Sequence, residues 1–79
     1  MPISGGLAMI KSVINDLPES EKKIAAFILY NPNAVLTMTA AELGDASSTS
    51  SSAVIRLCKS LNLSGFQELK MRILGDLNS

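Results

Sequence analysis

The sequence predicts an all-α fold, a small bundle of about five to six helices in a single domain. Apolar residues make up 47% of the 79-residue chain and aromatics only 4%. Most are Leu, Ile, Val, Met and Ala, which suit helices packed on one aliphatic core. Strict apolar and polar alternation, the mark of a half-buried strand, is absent, and Pro is limited to three residues.

The same composition sets limits. At this length burial leaves little stability to spare, and no residues remain for a separate catalytic domain. No apolar run reaches the roughly 18 residues of a membrane span. The N-terminus lacks the basic region and apolar core of a signal peptide, so no membrane association and a cytoplasmic location are expected. The chain has one cysteine, Cys58, and no histidine. An internal disulfide is therefore impossible, and a zinc site would need carboxylates alone. Without a histidine base, a Gly-rich phosphate loop or a nucleophile paired to a base, the chain does not read as an enzyme, and no metal or cofactor is expected.

Residues 1–6 read as a flexible lead-in, because two glycines follow a proline and a serine. From Leu7 the stripe Leu7, Ile10, Ile14 and Leu17, flanked by Met9 and Val13, predicts a first helix of about three turns that Asp16 and Pro18 end. Leu7, Met9 and Val13 are available to a dimer. A second helix starts near Glu19, where Glu19 and Glu21 suit the positive end of the helix dipole. Ile24, Phe27 and Ile28 form its inner face, Lys22 and Lys23 read as solvated, and Asn31 with Pro32 terminates it. Pro32 then opens a short turn of helix capped by Asn31, with Ala34, Val35 and Leu36 inward.

Residues 39–61 hold the most informative pattern. Thr39 followed by Glu42 forms a capping box at the start of one helix. After Leu43 the apolar pattern breaks, and it resumes as Val54, Leu57, Cys58 and Leu61, the stripe of a second helix in which Cys58 reads as core. Alone, the serine-rich stretch between them would read as a linker. Between two apolar stripes that must face one core, it reads instead as the turn of a helix-turn-helix, with Ser50 capping the second helix. Ser51, Ser52, Ile55, Arg56 and Lys59 fall off the stripe. Small hydroxyls at the helix start allow a close approach, Arg56 suits a guanine edge or a phosphate, and Lys59 can hold a backbone.

Asn62 is placed to take the left-handed conformation that ends this helix, with Leu63 folding back. Ser64 and Gln67 predict another capping box, so the last helix starts near Gly65 and buries Phe66, Leu69, Ile73 and Leu77. Lys70 and Arg72 lie off that stripe and are candidates for phosphate contacts. Gly75 and the polar end from Asp76 weaken the helix, with residues 78–79 read as the start of a linker. Net charge is zero, but its distribution is uneven. Lys11, Lys22 and Lys23 against Asp16, Glu19, Glu21, Glu42 and Asp45 leave residues 1–45 at −2. Arg56, Lys59, Lys70 and Arg72 against Glu68 and Asp76 leave residues 46–79 at +2.

Two segments, EKKIAAFILYNPNAVLTMT and AELGDASSTSSSAVIRLCKSLNLSGFQELK, carry a family resemblance. The chain resembles the N-terminal helix-turn-helix domain of the RpiR family of bacterial transcriptional regulators. The matches include Ser20, Glu21, Lys23, Ile24, Ala25, Asn31 and Pro32, then Ala41, Glu42, Leu43 and Ser50. Val54, Arg56, Cys58, Leu61 and the run Gly65 to Lys70 complete them. The resemblance implies a domain spanning residues 7–77 that binds double-stranded DNA, with the helix from about Ser51 to Leu61 in a major groove. Ser50, Ser51, Ser52, Arg56 and Lys59 would then lie near bases or phosphates, and Lys70, off the apolar stripe of the last helix, joins them as a DNA-binding candidate. It also implies a homodimer in the full-length protein and control of sugar metabolism. In the family a phosphosugar effector binds a SIS domain, which this chain lacks. The chain departs from the family pattern at Ser48, where a turn glycine is usual, at Ala53, commonly threonine, and at Asn62, usually glycine. Ser48 is expected to adopt a left-handed conformation at some cost, and a hydroxyl contact is expected to be lost at Ala53. The competing reading is a small helical protein-protein interaction module, which the near-neutral charge favours.

Overall fold

The computed structural model describes residues 5–78, which form six α-helices. They are α1 (Gly6–Val13), α2 (Glu19–Tyr30), α3 (Pro32–Val35), α4 (Ala40–Ala46), α5 (Ser51–Ser60) and α6 (Phe66–Asn78), with a 3-10 turn at Ile14–Asp16. The all-α expectation is met. Residues 1–4 and 79, parts of the expected lead-in and linker, lie outside the described residues, whereas Gly6 and Asn78 are helical.

The apolar stripes meet in one core. Ile10, Ile24, Ile28, Val35, Leu43, Val54, Leu57, Cys58, Leu69 and Ile73 are fully buried, drawn from every helix. Each such aliphatic side chain removed from water contributes roughly 1.5–3 kcal/mol. The core holds α4 against α5, α5 against α2, and α1 against both α2 and α6. Phe66 is buried as its stripe predicts.

Several local expectations need correction. The first helix tightens into the 3-10 turn after Val13, and Leu17 is extended (φ −81°, ψ 149°), as a residue before proline prefers. Leu7, Met9 and Val13, offered to a dimer, are half-buried and pack partly against the core. Ala34 is exposed, since a single turn of helix can turn only one side inward. The Asn31 side chain does not cap α3; its amide donates to the Phe27 carbonyl at 3.3 Å.

The largest differences lie in α6. Ser64 pairs with Glu68 and not with Gln67: its N–H and its hydroxyl both donate to Glu68 Oε1 at 2.9 Å. Glu68 also accepts from Arg72 Nε and Nη2, at 3.3 and 3.2 Å, so Arg72 is engaged within the helix. Leu77 is exposed, as are Met71 and Leu74. The helix runs on through Gly75 to Asn78, and Asp76 on it has partners far away in sequence. Its carboxylate accepts the N–H of Gly5 and, at 2.8 Å, that of Leu7, which caps α1 from the other end of the chain. Gly5 itself has φ +86°, a conformation that glycine takes without steric cost.

Candidate nucleic-acid interface

The helix-turn-helix is built by local caps. Thr39 Oγ1 accepts the Glu42 N–H at 3.1 Å, and Glu42 Oε1 accepts the Thr39 N–H at 2.8 Å, so the predicted capping box starts α4. Its other end closes on a Schellman motif. Ser48, at φ 61°, lets its own N–H reach the Asp45 carbonyl at 3.2 Å and that of Thr49 reach Gly44 at 2.7 Å. The left-handed serine is present as expected, without the glycine that would avoid a side-chain clash. The serine-rich stretch is therefore a locked turn. Ser47 Oγ donates to the Leu43 carbonyl at 2.7 Å, and Thr49 Oγ1 donates to that of Gly44 at 3.2 Å.

At the start of α5, Ser50 Oγ accepts the Ala53 N–H at 3.2 Å. Its far end repeats the motif that closes α4: Asn62, also at φ 61°, donates to Lys59, and Leu63 donates to Cys58, both at 2.9 Å. Between these ends α5 divides cleanly. Ala53, Val54, Leu57 and Cys58 face the core; Ser51, Ser52, Ile55, Arg56 and Lys59 are exposed. The buried Cys58 thiol is pushed up to about 11, chiefly by removal from water, so it is an inert core residue.

Two features that sequence reasoning missed set the position of α5. Gly44 lies beneath the turn, where an added Cβ would sit 2.5 Å from the Ser50 carbonyl carbon. Only glycine lets α4 approach this closely. Glu21, only 4% exposed, accepts a hydrogen bond from Ser60 Oγ at 2.7 Å, tying α2 to the last residue of α5. Neither has a local sequence signal.

Ser50, Ser51, Ser52, Arg56 and Lys59 thus lie together on the outer side of α5 and its cap. The Arg56 and Lys59 side chains make no hydrogen bond or ion pair among the described residues, and α5 carries no acidic residue. Lys70 is separate. It projects from α6 with its ammonium donating to the Met38 carbonyl at 3.2 Å and lying 4.9 Å from the centre of the Phe66 ring. Met38 immediately precedes the cap of α4, and two ammonium protons remain for another acceptor. Ala53 is 1% exposed, so the threonine missing there removes no outward hydroxyl.

Residues 4–79 match the family described as the helix-turn-helix domain, rpiR family. The chain belongs to this family. Among its relatives is YbbH of Bacillus subtilis (strain 168), an uncharacterized HTH-type transcriptional regulator. It is 51% identical over 74 residues, covering 94% of this chain and 26% of YbbH. Another is the uncharacterized HTH-type transcriptional regulator TTE0211 of Caldanaerobacter subterraneus subsp. tengcongensis. It is 43% identical over 67 residues, 85% of this chain and 24% of that protein. The crystal structure of the ybbH N-terminal domain superposes with a TM-score of 0.94 at 50% identity, covering 96% of this chain and 93% of that one. The rpiR-family domain described here spans about a quarter of the length of these curated relatives. It is an all-α, DNA-binding helix-turn-helix domain of the kind used in transcription regulation. Among its described residues no helix is long and apolar enough to cross a membrane, and no cluster of His, Cys, Asp or Glu could hold a metal ion.

Proposed function

We propose that this rpiR-family domain recognises a specific double-stranded DNA sequence by laying α5 in the major groove. The observation that carries this reading is the division of α5 into a buried stripe and an acid-free outer face. Arg56 would read a guanine edge or hold a phosphate, and Lys59 one turn on would hold the backbone. Ser50, Ser51 and Ser52 allow close approach at the helix start. Lys70, next to the entry to α4, would contact a flanking phosphate, where the first helix of such a motif crosses the backbone. In the whole protein the domain acts within a cytoplasmic homodimer on a two-fold operator. The RpiR resemblance supports control of sugar metabolism through a phosphosugar bound by a SIS domain outside this chain. No catalytic role is assigned.

Titrating the chain with duplexes selected from a random pool tests the reading. Affinity should fall steeply as salt rises, because phosphate contacts release counterions. Arg56→Ala should weaken binding to the selected site by about 1–3 kcal/mol if Arg56 reads a base. Absence of binding to any duplex at low salt would favour a protein-interaction module instead.

A further inference from the structure

One side chain on the outer face of α5 does not match its neighbours. Ser51, Ser52, Arg56 and Lys59 all carry hydrogen-bonding groups, whereas Ile55 is a branched hydrocarbon left 39% exposed. The core does not recruit it, since the buried stripe of Val54, Leu57 and Cys58 is complete without it. Helix propensity does not favour it either: an exposed helical position is better served by Ala, Lys or Glu than by a β-branched residue. Among the described residues the other large exposed apolar side chains, Tyr30, Met71, Leu74 and Leu77, sit on α2 and α6. On α5, Ile55 stands one turn after Ser51 and one turn before Lys59, beside Arg56.

Resting on the reading of α5 as the groove helix, we infer that Ile55 is a specificity-determining residue that packs on the 5-methyl group of a thymine. In the major groove that methyl is the apolar feature distinguishing one base pair from the others, and unmodified duplex carries it on no other base. A β-branched side chain is stiff at χ1, so little rotamer freedom is lost when it makes the contact. Ile55 and Arg56 are adjacent on the same face, so an apolar contact and a donor fork would read neighbouring bases.

The test uses the 79-residue chain and a duplex that it selects from a random pool. The site is rebuilt with each thymine replaced in turn by deoxyuridine, which deletes the methyl and leaves base pairing intact. At one thymine the replacement should weaken binding by about fourfold, the worth of one buried methyl group. Ile55→Ala should bind the thymine and deoxyuridine versions of that site equally, and Ile55→Val should keep part of the discrimination. If every deoxyuridine duplex affects the unmodified chain and Ile55→Ala alike, the inference is overturned while the groove-helix reading stands. If no duplex is enriched, that reading fails and the inference falls with it. Matching thermal melts establish that Ile55→Ala is folded; should it not fold, the comparison with Ile55→Val decides.

Discussion

At Gly44 the missing side chain matters more than any side chain nearby. A helical glycine exchanged for alanine normally gains up to about 1 kcal/mol, but here the new Cβ would lie 2.5 Å from the Ser50 carbonyl carbon. Gly44→Ala should therefore destabilise the domain by about 1–3 kcal/mol, as overpacking does. Urea denaturation measures it, and unchanged or raised stability would show that α4 and the turn can separate at no cost. Nothing local announces Gly44 as special, because a glycine inside a short helix looks like weak propensity until the residue above it is known. Ser48 was legible by contrast through the family resemblance alone, whose pattern has a glycine at that position.

Helix ends were legible wherever the capping partner lies three residues away with no better competitor. Thr39 with Glu42, and Ser50 with the Ala53 N–H, follow that rule. Ser64 fails it because Glu68, one residue beyond Gln67, offers a charged acceptor to both its N–H and its hydroxyl. This cap has a pH signature. The Ser64 N–H, then its hydroxyl, then the Arg72 fork hold the Glu68 carboxyl below its ordinary value of 4.5. A carboxyl lowered in the folded state adds stability that is complete above the unfolded value and is lost as pH falls through the folded one. Part of the fall in Tm as pH drops below the ordinary carboxyl value should therefore belong to Glu68. Glu68→Gln should lower Tm at neutral pH and shallow the acid slope. An identical slope in the variant would assign the acid response to other carboxylates.

Across the whole molecule, the features that escaped sequence reasoning join residues far apart in the chain. Glu21 meets Ser60 and Asp76 meets Gly5 and Leu7. Periodicity placed Glu21 at a helix start and Asp76 in a fraying tail, because a one-dimensional pattern cannot show which helix ends meet. Asp76→Ala should cost about 1–2 kcal/mol, the worth of a lost cap with a charged acceptor. Amide exchange should quicken at Gly5 and Leu7, and unchanged protection there would show that α1 holds its start without the carboxylate. The Asp76 clasp also bears on biosynthesis. Within the domain α1 is synthesised before α6, yet the carboxylate that caps α1 lies on α6. Helix α1 therefore gains this cap only after α6 has left the ribosome, so the domain closes as a ring rather than growing as a stack.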